Sequence, residues 1–340
     1  MTELATPRAM IRAMLQGDPL PRPLLLPIVF SLGARLENLS LRAFLANATK
    51  IADSQRQMRN VLGLDGVTCY FDPYLEADAF GCELEWSADG MTRVLCPRRG
   101  SATDLRERLR APKEIAGLGR IPVACDVLRR LKLMLPGEPA LMAAVSGPGA
   151  LADLLVGSAH AAEPSPHEVV EFAAELTAAV CTSFLESGAN VIFIRECDAS
   201  IQEYKQWVEL LSPIVNAIRF YEAAPVLLFD GPRPEAEIAV LEQGCEGLIC
   251  PRAIDLASGR VPSTAAALAS AHLPDTCFLP GLKEDGVWGK STVGLARDTD
   301  LCVLTSQGDI PTEVDVKFLA SLFGGLRSVC RESWLEDGKV

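Results

Sequence analysis

The sequence predicts an α/β protein: a single (β/α)8 TIM barrel over residues 1–340, with an N-terminal helix and a small β-hairpin excursion. Three observations carry this expectation. First, Pro225-Val226-Leu227-Leu228-Phe229 runs unbroken into Asp230-Gly231, the pattern of a strand buried on both faces of a parallel sheet. Second, other short apolar runs repeat it, and helix-like segments separate them, as in a barrel of alternating strands and helices. Third, no Gly-x-Gly-x-x-Gly loop follows the first strand, which argues against a dinucleotide-binding open sheet.

The chain begins with a helix-like segment, Pro7 to Leu15, stopping near Gly17. Leu24-Leu25-Leu26-Pro27-Ile28-Val29-Phe30 reads as the first strand, and a long helix from about Ser40 to Leu62 follows. Gly66 to Phe71 is the second strand, closed by Asp72-Pro73. Cys82–Trp86 and Met91–Leu95 flank Asp89-Gly90, a hairpin turn signal. A helix from about Pro122, a residue suited to a first turn, leads to the third strand, Ala140 to Val145. A helix over 167–187 precedes the fourth strand, Val191–Ile194, and a helix over 203–221 precedes the fifth, 225–229. Gly247–Cys250, Cys277–Pro280 and Leu301–Thr305 read as strands six to eight, the seventh after an alanine-rich helix. A helix over about 313–326 ends the pattern.

The chain is 49% hydrophobic and carries a net charge of −12. It can bury a large core, and its acidity argues against nucleic acid as a partner, because phosphate binding needs clustered Lys and Arg. The start lacks a basic region followed by an apolar run, and no apolar stretch approaches membrane-spanning length. The eleven cysteines include no Cys-x-x-Cys pair, so reduced, buried thiols in a cytoplasmic protein are expected rather than a disulfide framework.

Four stretches, in their order, resemble the uroporphyrinogen decarboxylase superfamily, which includes corrinoid-dependent methyltransferases. They are Pro27-Ile28-Val29 through Gln55; Leu62–Gly66 through Phe71-Asp72-Pro73 and Glu76–Gly81; Val145-Ser146-Gly147-Pro148; and Gln307-Gly308-Asp309-Ile310-Pro311. The resemblance runs from about Arg8 to Leu326 and implies a TIM barrel. The family's aspartate after strand two matches Asp72. Two departures bear on function. The arginine-rich loop of the decarboxylases is reduced here to Phe30-Ser31-Leu32-Gly33-Ala34-Arg35, and their histidine near the last strand is missing from Thr305–Asp309. The methyltransferases' His-x-Cys after strand five and Cys after strand eight are replaced by Asp230 and Asp309. The three histidines, His160, His167 and His272, all fall in segments read as helical or linking. The resemblance therefore implies no zinc site of the usual kind.

Asp72, Glu196, Asp198, Asp230 and Asp309 follow the predicted strands two, four, five and eight, so a barrel would gather them at one rim. Asp72, Glu196, Asp230 and Asp309 are the candidate catalytic acids, since a carboxyl in an apolar pocket can carry a proton. Helix capping is the plainer role, above all for Asp198. A hard cation, or an atypical zinc with Cys69, is a lesser alternative. Arg35, Arg195, Arg252, Lys283 and Lys290 are cations near strand ends; most such side chains are simply solvated or paired. Arg35, Tyr70, Asp198, Phe229, Lys283 and Gln307 are the candidate substrate-binding residues, and Trp288 lies in a glycine-punctuated loop. The expected activity is methyl transfer between a corrinoid (cobalamin) on a partner protein and a small acceptor such as tetrahydrofolate. The alternatives are decarboxylation of a tetrapyrrole or a smaller acid, and a non-catalytic corrinoid- or tetrapyrrole-binding barrel. A homodimer is expected by analogy.

Overall fold

The structure is a computed structural model that describes residues 6–86, 92–96, 102–108, 111–135, 139–156, 166–197, 204–231, 233–253, 269–273, 275–278 and 301–336. The first helix, α1 (Pro7–Leu15), starts where Thr6 caps the Ala9 N–H and Pro7 needs no amide partner. The first strand, β1, is only Leu24–Leu25. Pro27 lacks the N–H that a strand would donate, and pairing resumes at a bridge between Ile28 and Asp309. A short helix, α2 (Leu32–Leu36), follows where a loop was expected, and the single long helix expected from Ser40 is two pieces, α3 (Leu41–Leu45) and α4 (Ala48–Leu62). Asn47 causes the break between them by turning its side chain onto the Lys50 N–H. Gly63, in the left-handed region at φ 65°, ends α4.

Then come β2 (Gly66–Tyr70), α5 (Leu75–Ala79) and the antiparallel hairpin β3 (Glu83–Trp86) with β4 (Thr92–Cys96). The Asp89-Gly90 turn lies outside the described residues. After α6 (Ala102–Arg106) and a 3-10 turn at Pro112–Gly117, the alternation is regular: α7 (Ile121–Met134), β5 (Ala140–Ser146), α8 (Pro148–Val156), α9 (His167–Ser187), β6 (Val191–Glu196), α10 (Tyr204–Phe220), β7 (Ala224–Phe229) and α11 (Glu235–Gly244). The chain closes with β8 (Arg252–Ala253), β9 (Ala269–Leu273), β10 (Leu301–Ser306) and α12 (Val316–Glu336).

Two expectations are corrected here. Cys277 and Phe278 belong to a 3-10 turn, Asp275–Phe278, and the seventh strand is Ala269–Leu273. Alanine-rich residues read as helix by propensity, yet β9 pairs with both β8 and β10, so tertiary pairing overrides propensity. His272 therefore stands on a barrel strand and not in a helix or linker. His167 opens α9 and pairs with Glu171, while His160 lies outside the described residues.

The eight parallel strands form two four-stranded arcs, β2-β5-β6-β7 and β8-β9-β10-β1. Both seams carry backbone hydrogen bonds. At one, Val226 bridges Ile249, with Leu227 N–H donating to Ile249 O at 2.8 Å and Ile249 N–H to Pro225 O at 3.0 Å. At the other, Asp65 N–H donates to Leu25 O at 3.2 Å. The Asp65 carboxylate also accepts from Leu25 N–H at 2.9 Å and from both terminal nitrogens of Arg22. The ring thus runs in sequence order, as in a (β/α)8 barrel. One outer core joins Leu25, Val29, Ala271, Leu273, Leu301 and Leu304 to Leu319, Leu322 and Phe323 of α12. None of the nine cysteines whose side chains the structure describes forms a disulfide, and all but Cys197 and Cys302 are buried.

Candidate active site

The C-terminal ends of the strands converge on a mouth where Arg195 is the central cation. Its Nη2 lies 2.9 Å from Asp230 Oδ1, and its guanidinium sits 5.2 Å from the centre of the Phe71 ring. The Cys197 thiol donates to Asp230 Oδ2 at 3.6 Å. Burial, then the Asp230 charge, pushes that thiol up to about 12, so it is a neutral donor and not a thiolate. Gln307 reaches over from the eighth strand and donates its Nε2 hydrogen to Asp230 O at 3.0 Å. Tyr74 is half-buried and feels the charges of Arg195, Asp72 and Asp230. Asp230 itself is 49% exposed, which makes it the accessible carboxylate of this group.

The other three candidate acids hold the scaffold. Asp72 is buried and forms an ion pair with Nη1 of Arg120, while its Oδ1 accepts from Tyr74 N–H at 3.0 Å. Burial pushes its carboxyl up, against the pull of Arg120. Glu196 is fully buried, and its two oxygens accept from Gly149 N–H at 3.3 Å and Ala150 N–H at 2.9 Å, in the first turn of α8. Burial outweighs those bonds and holds the carboxyl well above its ordinary value. A Cβ on Gly147 would lie 1.9 Å from Glu196 Oε1, so only glycine leaves room for it. Asp309 accepts from Phe30 N–H at 2.7 Å and Ser31 N–H at 2.9 Å. Burial raises it to about 6, opposed by those donors and by Arg195.

Among the candidate binding residues, Tyr70 is fully buried, donates to Leu45 O at 2.7 Å and packs on Phe30. Phe229 stacks under Arg233, with 5.2 Å to the ring centre. Arg35 is exposed and donates to Thr312 O. Arg252 is engaged by Glu235 and Glu242. Asp198, Lys283, Trp288 and Lys290 lie outside the described residues. Arg120, Tyr74 and Cys197 join the arrangement without having been singled out. Arg120 carried one local signal, its place before Ile121-Pro122 at a helix start. What brings it to Asp72 is Gly119, at φ 54°, whose missing Cβ lets the chain approach Ala79.

Zinc does not fit the two positions where the resemblance puts its ligands. Both Asp309 oxygens accept from backbone amides, and Asp230 pairs with Arg195, so neither position offers the thiolate or imidazole of the usual site. Among the described residues no group of three His, Cys, Asp or Glu side chains comes together. No helix among them is long and apolar enough to cross a membrane.

The structure is similar to a methyltransferase from Methanosarcina mazei, at 17% identity and a TM-score of 0.73, covering 96% of this chain and 98% of that one. At that identity the likeness speaks for the fold. A pneumococcal exo-β-D-N-acetylglucosaminidase with tandem GH20 modules (12% identity, TM-score 0.46, 95% and 85% covered) is too remote to bear on the question. No curated protein matches the sequence. The uroporphyrinogen decarboxylase (URO-D) family pattern matches residues 6–230, which runs from the first helix cap to the mouth carboxylate, and the chain belongs to that family.

Proposed function

We propose that the protein is a methyltransferase-like enzyme that moves a methyl group between a corrinoid held by a partner protein and a small acceptor, tetrahydrofolate being the acceptor expected. The observation that carries this reading is the Asp230 carboxylate, accessible at the mouth and oriented by Arg195. The corrinoid supplies an activated methyl group. When an acceptor nitrogen forms its new bond to that methyl carbon, the carbon–cobalt bond would break with its electron pair left on the partner's corrinoid, and the N–H proton would pass to Asp230; in the reverse direction Asp230 would return it. Arg195 fixes the carboxylate, and Cys197 donates to the second oxygen, so the group is held for one orientation. Decarboxylation, by contrast, would need Asp72 for the substrate, and Arg120 already engages it.

The test is the absorption spectrum of methylcobalamin incubated with the protein and tetrahydrofolate. Demethylation that needs both, and that falls by about a hundredfold in Asp230→Asn, supports the reading. Decarboxylation of uroporphyrinogen without cobalamin, or a wild-type rate in Asp230→Asn, overturns it.

A further inference from the structure

The inner face of the seventh strand carries two polar atoms, Ser270 Oγ and His272 Nδ1, that lack a hydrogen-bond partner among the described residues. Ala271 and Leu273 of β9 pack outward into the core with α12. Side chains alternate along a strand, so Ser270 and His272 face the barrel interior, with His272 one residue short of the strand's end at the mouth. Ser270 Oγ and His272 Nδ1 are both buried, and neither has a hydrogen-bond partner. Their strand neighbours are Ala253 on β8 and Val303 and Thr305 on β10, none of them ionisable. Arg252, the cation of β8, is held by Glu235 and Glu242. Asp230 and Asp309 are the mouth acids, and neither bonds the imidazole. Burial lowers the affinity of His272 for a proton, so the ring is neutral at pH 7 and offers one donor and one acceptor.

Two buried polar atoms on one inner face, both without partners, are a costly choice where aliphatic side chains would pack. We infer that this face of β9 is a ligand-binding surface, and that Ser270 Oγ and His272 Nδ1 hydrogen-bond an uncharged heterocycle or amide entering the mouth. An ionic group is disfavoured, because the strands on either side offer no counter-charge. Taken with the proposed methyl transfer, on which this assignment of ligand rests, the group bound is the pterin ring of the acceptor.

The chain has three histidines, so long-range proton–nitrogen spectra of the full protein labelled at histidine resolve each ring. Tetrahydrofolate and, separately, coproporphyrinogen serve as probes. A shift of the His272 nitrogens with tetrahydrofolate is expected. Ser270→Ala and His272→Gln each weaken its binding about tenfold, the effect of one lost hydrogen bond. His272→Asn, which sets an amide where Nδ1 lies, recovers most of that loss; a merely structural imidazole would show no such pattern. If only coproporphyrinogen moves the ring, the methyl-transfer reading falls and the binding surface stands. If tetrahydrofolate is turned over while the ring does not move and both variants bind as wild type, the surface is overturned and methyl transfer stands. If neither probe moves the ring, the inference is overturned.

Discussion

Replacing Glu76 by glutamine is expected to raise stability above neutral pH and to leave it nearly unchanged at pH 4. Glu76 is fully buried in α5. Its Oε1 accepts from Ser146 N–H at 3.1 Å. Ser146 Oγ lies 2.9 Å from Glu76 Oε2 and 3.2 Å from Pro73 O, and a single hydroxyl hydrogen cannot serve both oxygens. A protonated Glu76 resolves this: its own hydrogen goes to Ser146 Oγ, whose hydrogen goes to Pro73 O. Burial raises the carboxyl from 4.5 to about 7, against the pull of the Ser146 donors. The native state therefore holds this proton more firmly than the unfolded chain does. The stability it contributes is complete below about pH 4.5, is lost as pH rises to about 7, and is absent above that. That interval amounts to about 3 kcal/mol. Glutamine keeps the acceptor for Ser146 N–H and a donor for Ser146 Oγ, and does not titrate. Urea unfolding of both proteins at pH 4 and pH 8 isolates the effect, because other titrating groups cancel in the difference. The variant should gain up to about 3 kcal/mol over wild type at pH 8 and nothing at pH 4. A difference that does not change with pH, or a variant less stable at pH 8, would refute the reasoning.

Gly147→Ala should cost about 1–3 kcal/mol or more, because the new Cβ would lie 1.9 Å from Glu196 Oε1 and force the carboxylate off the α8 terminus; thermal scanning reads it, and an unchanged midpoint would contradict the placement. Tyr70→Phe should cost about 1–2 kcal/mol in urea unfolding, since it strands the Leu45 carbonyl, while turnover is kept; loss of turnover with full stability would return Tyr70 to the substrate. Arg252→Leu should cost about 3–5 kcal/mol, as it leaves the carboxylate of Glu242, 11% exposed, without its partner. An unchanged denaturation midpoint there would show that the ion cluster contributes nothing.

Most strands were legible because a strand covered on both faces must be apolar along its buried length, and 140–145, 191–194 and 224–229 are. The seventh was not. Ala269–Leu273 has no β-branched or aromatic residue to mark it, and its pairing comes from β10, some thirty residues on. The same distance problem governs the site. That acids follow strands two, four, five and eight could be read directly. Which of them is accessible could not, because the groups that engage the others are remote: Arg120 for Asp72, the α8 amides for Glu196, and the Phe30 and Ser31 amides for Asp309. Misplacing the seventh strand also hid His272, since strand-face alternation can be applied only once the strand is known.

The bond from Gln307 to Asp230 O has a mechanical consequence. It ties the tip of one four-stranded arc to the tip of the other, straight over the opening, like a latch. The residue it grips is the one whose carboxylate is exposed at the mouth. A molecule that passes between the two tips must first release that latch.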